Sequence, residues 1–119
     1  MIIKTRHVGL IVKNIIKSKK FYGKILGLKL KKELIEEGKY FNSLIGLKKS
    51  KAKVVKIDLP DKTYIELIEF EKPKSSQKVK IEKFSKLKQM HICFTVKNIH
   101  NYFKNLRKNK IKFISPPLK

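Results

Sequence analysis

Apolar and polar positions along this chain follow two periods. In residues 7–12, His7, Gly9 and Ile11 fall on one face of an extended segment, and Val8, Leu10 and Val12 on the other. The second face is wholly apolar and suits packing beneath a helix. The first carries an imidazole and a bare backbone position, as a cavity lining would. The period then changes: Phe21, Tyr22, Ile25 and Leu26 form a helical stripe, and Gly27 supplies its stop. Residues 28–34 read as extended, residues 40–47 as a loop or short strand, and residues 52–59 as a strand. Pro60-Asp61-Lys62 is a turn signal, followed by a strand over residues 63–70. On that strand Tyr64, Glu66 and Ile68 share one face. A carboxylate amid aliphatic neighbours is costly unless it is paired, metal-bound or set in a wet cavity.

The pattern then repeats. His7-Val8-Gly9-Leu10-Ile11-Val12-Lys13-Asn14-Ile15 recurs 84 residues later as His91-Ile92-Cys93-Phe94-Thr95-Val96-Lys97-Asn98-Ile99. A helical stripe follows this copy too: Ile99, Tyr102, Phe103 and Leu106, with Asn98 as N-cap and an extended segment over residues 111–115. His91, Cys93 and Thr95 share a face, as their counterparts do. Cys93 reads as a small buried residue beside a pocket, and His100 as a surface residue of the helix. Residues 72–77 resemble a linker, and residues 79–87 a short helix or turn. The expected class is α+β. A single domain over residues 1–119 would hold one module at about 1–72, a linker at about 73–88 and an incomplete second module at about 89–119.

Composition narrows the options. The chain carries 31 Lys+Arg against 9 Asp+Glu, a formal charge of +22, while 41% of its residues are hydrophobic, enough for a core. Of the 31 cations only Arg6 and Arg107 are arginine. Base and phosphate readers favour the planar arginine fork, so this lysine excess reads as compositional drift. Nucleic acid is not expected as a partner, though the field favours small anionic ligands. One cysteine excludes a disulfide framework. No apolar run is long enough for a bilayer, and the N-terminus lacks a leader pattern. A reducing cytoplasmic setting is the expectation.

With these residues in hand, the chain resembles the vicinal oxygen chelate superfamily, the glyoxalase/bleomycin resistance/dioxygenase group. The pieces that carry the resemblance are residues 7–14 (HVGLIVKN), 21–28 (FYGKILGL), 64–69 (YIELIE) and 91–96 (HICFTV). It implies paired βαβββ modules that form a cupped mixed sheet (glyoxalase-like). It also implies a divalent metal ion, Zn, Ni, Co, Mn or Fe, held by His7, Glu66 and His91. Glu66 would then double as catalytic base, with a pocket formed by Gly9, Ile11, Tyr64, Ile68, Cys93 and Thr95. The implied activity is that of a lyase or isomerase of the glyoxalase I (lactoylglutathione lyase-like) or epimerase type. It would act through an enediolate on a small α-oxo-acyl or thiol-conjugate substrate. A non-catalytic small-molecule binder of the bleomycin-resistance type is the alternative. The family's closing hairpin and final glutamate have no counterpart, since no acidic residue follows Glu82. A truncated second module and a homodimer covering its exposed edge are the resulting expectations.

Overall fold

The computed structural model describes residues 1–74 and 90–118. It forms two compact units, Met1–Ser76 and Gln77–Lys119. The expected short helix at residues 79–87 and most of the linker lie outside the described residues.

The first unit is an α+β structure with a mixed sheet. Its strands are β1 (His7–Ile11), β2 (Lys29–Glu37), β3 (Lys51–Asp58) and β4 (Tyr64–Lys72). Their spatial order is β1-β4-β3-β2. The β1–β4 pair is parallel, while β3 runs antiparallel to both β4 and β2. The return from β1 is the helix α1 (Ile15–Lys19), continued by a π-helical segment, Lys20–Ile25. A parallel neighbour cannot be reached by a tight turn, so β1 needs a long crossover before it meets β4.

Local chemistry sets these boundaries. Asn14 takes extended backbone angles, and its Oδ1 accepts from Lys17 N at 3.0 Å, capping α1. A second acceptor comes from the sheet: Ile15 N donates to Glu69 Oε2 at 2.6 Å. One carboxylate on β4 thereby satisfies an otherwise orphaned helix amide and meets the positive end of the helix. Glu69→Ala is expected to cost about 0.5–2 kcal/mol, the range for losing a cap, read as a lower urea midpoint with unchanged m-value. Lys19 adds an ion pair to Glu33 on β2. Gly23 packs closely on β2: a Cβ there would stand 3.1 Å from Leu30 Cδ1, so that side chain would have to shift slightly. Gly27 ends the helical run at φ +74°, a backbone state that side chains disfavour.

The core lies in the middle of the sheet. Ile57, Ile65 and Leu67 are fully buried, Val54 and Val55 nearly so, and Ile15 from α1 joins them. β4 sits between β1 and β3, which explains why its apolar residues lose water on both sides. The β3–β4 turn is tied by Asp61, whose Oδ1 accepts from Thr63 N at 3.0 Å and from Thr63 Oγ1 at 2.6 Å. These two bonds hold the Asp61 carboxyl below its ordinary pKa.

Several expectations need correction. Residues 40–47 are not a strand: Lys39–Ile45 is the helix α2, whose Phe41 is buried and stacks on Phe70 with centroids 6.3 Å apart. One buried aromatic in a seven-residue helix is too little to show a period. In the second unit, residues 99–108 form the expected helix α3 (Ile99–Lys108), and Asn98 Oδ1 accepts from Asn101 N at 3.2 Å. Leu106 is its buried contact, and Phe103 packs on Phe113 with centroids 4.5 Å apart. Yet among the described residues neither 91–96 nor 111–115 is a strand. An alternating pattern makes a segment able to join a ladder, but the ladder requires a partner edge. Cys93, expected to be buried, is exposed.

Candidate functional site

The register of the first unit decides which side chains meet. Across the parallel pair, His7 stands opposite Tyr64, Gly9 opposite Glu66 and Ile11 opposite Ile68. Across the antiparallel pair, Lys56 stands opposite Glu66 and Asp58 opposite Tyr64. Paired residues share a face, so one surface carries His7, Gly9 and Ile11, then Tyr64, Glu66 and Ile68, then Lys56 and Asp58.

Glu66 is the centre of this surface. Its Oε2 lies 3.4 Å from His7 Nε2, and its Oε1 lies 3.3 Å from Lys56 Nζ. The carboxylate is 16% exposed, the imidazole 38% and the lysine 25%. A carboxylate shielded this far needs compensating charge, and each oxygen has one nitrogen neighbour. Tyr64 is buried and stacks against the His7 ring, with centroids 4.9 Å apart and planes 24° from parallel. That contact limits rotation of the imidazole and keeps Nε2 toward Glu66. Two ammonium groups flank the phenol ring, Lys56 at 5.3 Å and Lys31 at 5.4 Å from its centroid. Lys31 also reaches Asp58 at 3.6 Å. Gly9 leaves room beside the carboxylate: a Cβ there would meet only Ile68 Cδ1, at 3.7 Å. Ile11 is exposed on the same edge strand.

The His7–Glu66 spacing can be tested against a metal ion. Tetrahedral bonds of about 2.1 Å to a nitrogen and an oxygen place the two donors about 3.4 Å apart. The observed 3.4 Å matches that separation, and is equally that of an ion pair. Among the described residues no group of three or more His, Cys, Asp or Glu is gathered for a metal. His91, Cys93 and Thr95 belong to the second unit, where all three are exposed. The first unit thus brings His7 and Glu66 together, with Gly9, Ile11, Tyr64 and Ile68 on the same sheet face.

Sequence reasoning missed Lys56. It lies on a strand that had been recognised, but no periodicity marks which of 29 lysines faces a carboxylate on the neighbouring strand. Only the register reveals it.

Comparison with known proteins agrees with this architecture. The sequence profile of the Glyoxalase/Bleomycin resistance protein/Dioxygenase superfamily matches residues 4–119. The chain belongs to that superfamily. Among solved structures, a glyoxalase family protein from Bacillus cereus superposes with a TM-score of 0.82 at 22% identity, covering 92% of this chain and 73% of that one. The protein SMU.1112c superposes with a TM-score of 0.59 at 18% identity, covering 94% of this chain and 78% of that one. At these identities the likeness is one of fold. No curated protein matches the chain. Among the described residues no helix is long and apolar enough to cross a membrane.

Proposed function

We propose that this superfamily member is a metal-dependent lyase or isomerase of the glyoxalase I or epimerase type, acting on a small, anionic α-oxo-acyl or thiol-conjugate substrate. The observation that carries the reading is the His7–Glu66 pair, set 3.4 Å apart on one sheet face, the spacing of two ligands. A divalent ion held by these residues would supply Lewis acidity to neighbouring substrate oxygens and so lower the cost of removing a proton beside a carbonyl. The chain's own residues do the rest. Tyr64 fixes the His7 ring by stacking. Glu66, held between His7 and Lys56, is the acceptor for the substrate proton. Lys31 and Lys56 bring positive charge to the same face and favour a substrate with a carboxylate or phosphate. The protein acts as a homodimer in the cytoplasm in this reading.

The test couples metal content to turnover. Protein stripped with chelator is reloaded with Zn²⁺, Ni²⁺, Co²⁺, Mn²⁺ or Fe²⁺ and assayed on methylglyoxal–thiol adducts and for acyl-CoA epimerisation. Activity with at least one ion, and its loss in His7→Ala together with stoichiometric metal, is the expected outcome. Inactivity with every ion, and indifference to His7→Ala, would remove the proposal.

A second reading has its own support. Lys56 already gives Glu66 a positive partner, so the carboxylate does not require an ion to be tolerated in its setting. A non-catalytic binder of small molecules would behave accordingly: ligand would raise the melting temperature in chelator, and Glu66→Ala would leave that rise unchanged.

A further inference from the structure

Lys56 stands where a second cation on Glu66 would stand. We infer that its ammonium is a built-in counter-ion that competes with divalent metal for the Glu66 carboxylate, and so sets the metal affinity of this face. The inference rests on the metal-site reading above, and concerns a residue that neither the fold nor the expected ligand set assigns.

Three observations support it. First, Lys56 and His7 divide the two carboxylate oxygens between them, at 3.3 and 3.4 Å. An ion seated between His7 and Glu66 would draw on the same carboxylate charge and would lie close to the ammonium. Like charges a few ångströms apart on a partly buried surface repel strongly, because solvent screens them poorly. Either the ammonium withdraws or the ion binds against its field.

Second, Lys56 is held where it is. Its Nζ also lies 5.3 Å from the centroid of the buried Tyr64 ring, and the strand pairing fixes its Cα opposite that of Glu66. A lysine with one loose carboxylate contact would swing away at little cost. One with a second favourable contact on the same side resists displacement. Third, the neighbouring cation is already committed: Lys31 pairs with Asp58 and faces the same ring. Movement of Lys56 toward Tyr64 therefore meets another positive charge.

Titration calorimetry with Ni²⁺ and with Zn²⁺ on chelator-stripped full-length protein tests this, comparing the wild type with Lys56→Met and with Lys56→Gln. Thermal melts of each variant confirm folding, and the two replacements differ in shape and polarity, so a packing fault in one is exposed by the other. The expected result is at least tenfold tighter binding in both variants. His7→Ala added to Lys56→Met should abolish the gain, which ties it to this pair. Equal or weaker metal affinity in both Lys56 variants overturns the inference while leaving the metal proposal standing if the wild type binds. Absence of binding in the wild type and in both variants overturns the two together. Binding by the variants alone supports the inference and shows that the native chain holds the ion off.

Discussion

Replacing Leu67 by alanine is expected to lower the unfolding free energy by about 2–5 kcal/mol, the range for truncating a large aliphatic side chain in a packed core. Leu67 has no exposed surface and lies on β4, paired with Leu10 of β1 on one side and Val55 of β3 on the other. Its removal takes apolar atoms out of contact with both strands at once. The hydrogen-bonded ladders hold their spacing, so the void cannot close fully. Marginal domains have only about 5–15 kcal/mol in total, so a loss of this size puts folding itself at risk. Urea unfolding followed by circular dichroism reads the effect as a lower midpoint. Ile11→Ala is the control. Ile11 is similar in size but 60% exposed, and its loss should cost a small fraction of the Leu67 effect. Equal effects from the two would mean that β1 is covered in solution by something other than this chain's first unit.

The second large effect is chemical. Glu66→Gln keeps the shape and removes the charge. If Glu66 is the proton acceptor, the variant should lose about 10²–10⁴-fold in rate, the usual contribution of a positioned general base. Exchange of the substrate's α-proton with deuterated solvent is the direct readout, since it reports proton abstraction even where product release limits turnover. Stability should move far less than rate. The two ion pairs of Glu66 are partly solvated, and such pairs contribute modestly. A rate unchanged by Glu66→Gln would dismiss this carboxylate as the base and favour the non-catalytic reading.

Much of the fold was legible because its signals are local. The strand at His7, the stop at Gly27, the turn at Pro60-Asp61-Lys62 and the cap at Asn98 each depend on residues within a few positions. The errors also have a common cause. Residues 91–96 carry the same alternation as β1, but alternation says only that a segment can present one face; whether it joins a sheet depends on a neighbour far away in sequence. The helix α2 was missed because Phe41 alone is buried in it, too little to set a period. Cys93 was misread for the reason that residues 91–96 were: burial follows from a packed partner, which composition cannot supply.

The sequence by itself determined the superfamily, the α+β class, the duplicated His-led motif and which face of its own strand His7 and Glu66 each occupy. These follow from spacing along one chain, where side-chain direction is set by backbone period. Only the tertiary structure decided that β4, rather than β2, pairs with β1, and that Gly9 therefore lies opposite Glu66. It alone put Lys56 on the carboxylate's second oxygen. Strand order and register are set by non-local hydrogen bonding and by which apolar faces must be buried together, so the partners of a charged side chain are fixed only when the whole sheet has closed.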